Sequence, residues 1–426
     1  MSRNKPAGAW DHIDDFEILS ALVTSGDQPV IRDVAEGLLR KLHASTDIAD
    51  LREVQADLYG YLLDAERRYS EALRSFKRGE RSELDVIFWR RVVAQLRAIG
   101  DGVAWTFMAY DRKALLLLRR GDPPGHMYGK EGTAVEWALF NEHWDAGEPT
   151  VLSGLTNVIR YGDLLVSLKD GTGKLVEAKK DLKHTSGKQN RRERAVVDLL
   201  NGEPRFDAED GPTWILQCDV PLNTRWFGAA GAIERALADG VATWSPEPGV
   251  AVMFMAPRSI KAESLEDGLA QIEAARQSVR EAYGVPASHA LITPGTRYPY
   301  RAGGVAPTAI WPLSAAHAAR ILTGEVLFNI EINADRIVDA LRNHGVEAEL
   351  VLPSNNDELP AKTEVLRFSR GGFDAALHGG GIEPLAVELQ EIDTWAQGVA
   401  EMPMPDDGKF GSYLCFKETE TWGGTG

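Results

Sequence analysis

A chain of 426 residues, 44% apolar and 26% charged, has the composition of a soluble globular protein and the length of two or three domains. Its two cysteines, Cys218 and Cys415, exclude a disulfide framework or a cysteine zinc cluster and fit a reducing, cytoplasmic compartment. A net charge of −16 argues against a protein that coats nucleic acid with its whole surface.

Met1 to Pro6 lead into no apolar core, so no signal peptide is expected. Residues 11–120 read as mostly helical. Asp14 and Asp15 precede Phe16, Ile18, Leu19, Leu22 and Val23 at helical spacing. Leu38, Leu39 and Leu42 mark a second helix. A longer one runs from Leu51 to Phe76, with Val54, Leu58, Leu62 and Leu63 on one side. A fourth runs from Leu84 to Ile99 through Val86, Ile87, Trp89, Val92, Val93 and Leu96. Long amphipathic helices of mixed charge suggest a bundle, and leave open a homodimer or a partner protein docked there. The longest aliphatic run, Ala114 to Leu118, is too short to span a bilayer, so no membrane association is expected.

Gly121-Asp122-Pro123-Pro124-Gly125 is a break and the first expected boundary. A helix-like apolar run then opens at Gly132. It offers Glu136, and Glu142 as a weaker candidate, with Trp137, Phe140 and Trp144 as packing residues. Val151-Leu152 reads as a first core strand. Leu164 to Leu168 and Leu175 to Lys180 flank a polar Asp-Gly corner and read as a β-hairpin. Alternation along a strand puts Glu177 and Lys179 on one face, and Asp163 opens the partner strand beside Glu177. Adjacent carboxylates repel unless a cation sits between them, and Mg²⁺ takes a few carboxylate oxygens plus water. A lysine beside such a site can orient a metal-bound water, which is the chemistry of phosphodiester hydrolysis. The plain alternative is a hairpin whose Lys and Glu alternate toward solvent.

From Lys169 to Arg194, nine basic residues stand against four acids, a locally positive strip on an acidic body. Lys180, Lys188, Arg191 and Arg192 are its candidates for phosphate contact; a solvated helix face is the alternative. Thr185 or Ser186 would cap a helix whose Val196, Val197, Leu199 and Leu200 pack inward. Strands follow at Trp214 to Val220 and Gly249 to Met255, with helices at Gly228 to Asp239 and Ser264 to Tyr283. Residues 293–312 are rich in Pro and Gly and read as a linker or long loop. Within them Arg297-Tyr298-Pro299-Tyr300-Arg301 offers rings for bases and cations for phosphates, or an ordinary surface loop. Beyond lie helices at Ala315 to Leu322 and Ala334 to His344, strands at Val326 to Ile332 and Val346 to Leu352, and a turn-rich tail from Met402.

Two motifs fail. Gly171-Thr172-Gly173-Lys174 lacks the first glycine of a P-loop, because Leu168 stands there and Leu175 follows the lysine. His378-Gly379-Gly380-Gly381 has no G-x-S-x-G elbow to serve.

Asp163, a hairpin, Glu177-Ala178-Lys179, the upstream Glu136 and the downstream Gln189 resemble the PD-(D/E)XK nuclease superfamily, in its RecB-type or Mrr-type variants. The resemblance covers about residues 130–220. It departs from the pattern at Tyr161-Gly162, where many members have a proline before the acid. It implies an α/β (α+β) fold, with a restriction-endonuclease-like mixed sheet flanked by helices. It implies Mg²⁺ or Mn²⁺ at Asp163, Glu177 and Glu136, with Lys179 positioning water and Gln189 and Arg192 supporting the site. The substrate implied is nucleic acid, DNA by analogy, and the setting restriction or phage defence. The expected organisation is a helical region at 1–121, the nuclease-like core at 122–292, a linker or loop at 293–312 and a small α/β unit at 313–426. The alternative is a non-catalytic interaction or scaffold protein with a nuclease-like core.

Overall fold

Apolar spacing in the first hundred residues implies helices, and the computed structural model forms them. It describes residues 25–119, 124–167, 173–178, 205–208, 211–261, 264–286, 290–294, 306–351, 364–371, 373–378, 382, 385–402 and 412–418. The helix expected near Phe16 lies outside these. Four helices open the described chain: α1 (Gln28–Ala44), α2 (Leu51–Lys77), α3 (Glu83–Phe107) and α4 (Arg112–Leu118). In α2, Val54, Leu58, Leu62, Ala65 and Ala72 recur along one stripe and are all buried. The Ser82 hydroxyl accepts the Leu84 amide at 3.1 Å and starts α3. That helix runs past the expected Ile99 to Phe107, because it is buried on almost every side.

Two glycines let short 3-10 turns reach α3. A Cβ at Gly100 would lie 1.9 Å from the Leu155 carbonyl oxygen. One at Gly102 would lie 2.7 Å from Cβ of Ala309. A side chain at either position would push the docked segment away.

Next come α5 (Gly132–Asp145) and an antiparallel sheet of β1 (Thr150–Leu152), β2 (Leu164–Ser167) and β3 (Gly173–Val176), in that order. The expected hairpin is therefore present, with Leu164 opposite Val176 and Ser167 opposite Gly173. The later strand is β5 (Gly211–Leu222). It pairs antiparallel with β4 (Arg205–Ala208) and parallel with β13 (Ser412–Glu418). So, among the described residues, the strand expected to complete the nuclease-like sheet joins a different one. Twelve residues of β5 find a longer partner in β13 than the four of β3 provide. The architecture is α+β, and the described residues form four small sheets where a single mixed sheet was expected.

The largest sheet has the order β6 (Val241–Trp244), β7 (Val250–Met255), β9 (Leu327–Asn333), β8 (Ala290–Pro294), all antiparallel. The helices α6 (Ala230–Asp239) and α7 (Leu265–Tyr283) pack on β6 and β7. Then α8 (Ala315–Leu322) packs on α1, and α9 (Ala334–Asn343) on α10 (Ile392–Glu401). A fourth sheet joins β10 (Glu347–Leu350), β11 (Glu364–Arg370) and β12 (Phe373–His378).

Since β9 sits between β7 and β8, this sheet crosses the boundary expected at 293–312. Residues 308–311 are not a surface linker: Thr308, Ala309, Ile310 and Trp311 are buried against α3 and the Trp226 ring. One apolar core extends from Ala35 to Val399. A buried ion pair stitches it: Arg112 of α4 holds Glu388 with two bonds of 2.8 and 2.7 Å, and the Ala306 amide adds a third to Glu388 at 2.6 Å. Among the described residues no helix is long and apolar enough to cross a membrane.

Candidate active site

Gly162 has φ +66°, and a Cβ there would meet the Val176 carbonyl at 3.2 Å, so the turn into β2 calls for glycine. Asp163 follows, at the meeting point of three segments. Its amide donates to the Val176 carbonyl at 2.8 Å, and its carbonyl accepts the Ser153 amide at 2.9 Å. Its carboxylate Oδ2 accepts the Ala178 amide at 2.7 Å. Glu177 is thus held one residue before the amide that Asp163 binds.

Glu136 reaches the same place from α5. Its carboxyl is half-buried and pushed above the usual range, first by burial and then by the negative charges of Asp163 and Glu177. Lys130 acts in the opposite direction. Glu136 therefore lies within electrostatic reach of both Asp163 and Glu177. Lys179, Lys180, Lys188, Gln189, Arg191 and Arg192 lie outside the described residues. Among the described residues, no three His, Cys, Asp or Glu side chains close on one point as metal ligands. Asp163 instead turns one oxygen to the Ala178 backbone.

Tyr59 of α2 also belongs to this neighbourhood. Its phenol is pushed up by burial and by the Glu136 charge, and its ring stacks on Trp137 at 4.2 Å. Trp137 stacks in turn on the fully buried Phe140 at 4.9 Å. Nothing in the local sequence marks Tyr59, because its partner sits on another helix.

The segments around the site rest on buried polar side chains of α2 and α3. Gln55 accepts the Leu152 amide and donates to the Thr150 carbonyl, 3.0 Å each, completing the open edge of β1 as a further strand would. Asp101 accepts the Asn157 and Val158 amides at 2.6 and 3.0 Å and the Asn157 side-chain amide at 2.9 Å. Burial pushes its carboxyl up to about 6, against the pull of those donors and of Arg160. Burial would also raise the Glu66 carboxyl, but the His126 ring, the Tyr128 amide and Arg97 outweigh it and hold it low. Sequence reasoning missed these residues: charged positions on an amphipathic helix look the same whether solvated or gripping a loop.

Elsewhere, Ser314 Oγ lies 2.9 Å from His317 Nδ1, and His317 Nε2 lies 2.7 Å from Glu234. That relay has the composition of a hydrolase triad. The Ser314 hydroxyl, however, also accepts the His317 amide at 3.3 Å and caps α8, so its local role is structural. No family model, curated protein or solved structure matches this chain.

Proposed function

We propose that the protein is a divalent-metal-dependent nuclease that hydrolyses phosphodiester bonds, with DNA as its substrate. One observation supports this above the others: a helix, a strand start and a strand end deliver Glu136, Asp163 and Glu177 to one neighbourhood. Three carboxylates in mutual reach offer the oxygen donors that Mg²⁺ or Mn²⁺ takes, and their mutual repulsion favours a cation among them. Those three side chains would hold the ion on closing toward one another from the positions they take here, and the ion would supply Lewis acidity toward a phosphoryl oxygen. Lys179 would orient the attacking water. Gln189, Lys180, Lys188, Arg191 and Arg192 would support the site and the nucleic-acid backbone.

The test is cleavage of plasmid and linear DNA, with RNA alongside, in Mg²⁺, in Mn²⁺ and in EDTA. Cutting is expected with either metal, none in EDTA, and none by Asp163→Ala or Lys179→Ala. Cutting that survives both substitutions would overturn the assignment. The second reading, a non-catalytic interaction protein, is favoured by the Asp163 bond to Ala178, which gives that carboxylate a structural use. Its signature is nucleic-acid or protein binding that EDTA leaves unchanged, with no cleavage.

A further inference from the structure

Glu136 is delivered by a loop with no regular structure, residues 124–131, yet the backbone of that loop is tied down. Glu66 of α2 is fully buried. Its Oε2 accepts the amides of Met127 and Tyr128, at 2.7 Å each. Its Oε1 accepts Arg97 of α3 at 2.9 Å, and His126 Nδ1 lies 3.5 Å from the same atom. Arg97 donates to the carbonyls of Pro124 at 2.9 Å and Gly125 at 2.7 Å. One ion pair therefore holds four backbone groups of the loop.

The loop in turn touches both sides of the candidate site. The Thr133 hydroxyl, in the first turn of α5, donates to the Met127 carbonyl at 2.8 Å, and Glu136 stands three residues further on. On the other side, the Met127 sulfur fills the space beside Gly154, 2.6 Å from where a Cβ would lie. The neighbouring Ser153 donates its amide to Asp163. The path from Glu66 to Glu136 and the path from Glu66 to Asp163 both pass through Met127.

A buried Glu–Arg pair is a poor stabiliser, since apolar residues of similar volume often replace one without loss. What it supplies is direction, fixing donors and acceptors of irregular chain that apolar contacts would let slide. We infer that Glu66, partnered by Arg97, is the positioning residue of the candidate site and sets where Glu136 stands against Asp163. The inference rests on the nuclease reading above.

The test compares the wild type with the double variant Glu66→Met/Arg97→Met, which leaves no buried charge without its partner, and with Thr133→Val, which removes only the tie to α5. Each is measured for thermal midpoint, Mn²⁺ affinity by electron paramagnetic resonance, and kcat and KM on plasmid DNA. The double variant is expected to melt within a few degrees of the wild type. Its Mn²⁺ affinity should fall roughly 10- to 100-fold, as supporting residues of metal sites typically show. Its kcat should fall while KM stays within about twofold, the mark of an interaction needed in the transition state. Thr133→Val should move both quantities the same way by less, and it decides the matter if the double variant does not fold. Folded variants with wild-type Mn²⁺ affinity and kcat would overturn the inference. A wild type that binds no Mn²⁺ and cuts nothing sinks the nuclease reading, and this inference with it. The two failures are distinct, because one is seen in the wild type and the other only in the variants.

Discussion

The two halves of the core hold their chains by different means. Along α2 and α3, Glu66, Arg97 and Asp101 take backbone groups of irregular segments and Gln55 those of the short edge strand β1. In the sheet half, rings meet rings: Trp226 stacks on Trp311 at 4.1 Å, and Phe254 and Phe328 stand edge-on to them. Apolar burial contributes in proportion to area and has little directional preference. A hydrogen bond contributes less on net but fixes direction, and leaving a buried group without one is costly. Directional bonds thus lie where loops and a short edge strand meet the helices, and those segments lead into Glu136 and Asp163.

The largest expected effect breaks the aromatic side. Trp311 is fully buried, stacked on Trp226, and its Nε1 donates to the Ala306 carbonyl at 3.0 Å. Trp311→Ala should lose about 4 kcal/mol of stability, the usual cost of emptying a large aromatic site. The core is continuous from Ala35 to Val399, so helical signal and tryptophan fluorescence should shift together in a urea titration. A variant in which the helical transition stays in place would show that the halves are independent units after all.

The next effect tests the polar side through pH. The folded Asp101 carboxyl titrates near 6, above its ordinary 3.8, with burial as the leading cause. Between those values the folded state keeps a proton that the unfolded chain has released. Stability from this group is therefore present at acid pH and lost as pH rises through the window. The gap corresponds to about 3 kcal/mol. Asp101→Asn keeps an acceptor for the Asn157 and Val158 amides and never ionises. Its stability relative to the wild type should rise by about 2.4 kcal/mol between pH 4 and pH 7, read from urea melts at each pH. Parallel profiles for the two proteins would mean that the carboxylate is not destabilised by its burial.

The same contrast explains what the sequence revealed. Helices α2 and α3 and the β2–β3 hairpin were legible because their signals are local: apolar spacing and an Asp-Gly corner. Asp163, Glu177 and Glu136 stood out as acids at the hairpin and on the helix before it, and Glu136 lies within electrostatic reach of the other two. The burial of residues 308–311 was hidden, since a Pro- and Gly-rich stretch looks like surface until Gly102 is placed opposite Ala309. The pairing of β5 with β13 was hidden for the same reason, with its partner at the far end of the chain. Tyr59, Gln55, Glu66, Arg97 and Asp101 share the difficulty. Each is an ordinary helix residue until a distant segment folds over it.

Gln55 offers the smallest and most specific test. Its side-chain amide has two bonds to β1, and losing them is not symmetric. The Thr150 carbonyl keeps a second donor, Trp144 Nε1 at 3.1 Å, whereas the Leu152 amide faces Gln55 Oε1 in the buried edge of β1. Gln55→Leu preserves the volume and leaves that one amide without its acceptor, which should cost about 2 kcal/mol. Gln55→Glu keeps the acceptor but turns an oxygen toward the Thr150 carbonyl, so it should cost more than Gln55→Leu as pH rises and the carboxyl ionises. If the polar side chains of α2 act by direction, hydrogen exchange at Leu152 should quicken in Gln55→Leu while amides of β7 and β9 keep their protection. Equal loosening of both regions would mean that Gln55 is merely one more packed residue, and that the two halves hold their chains in the same way.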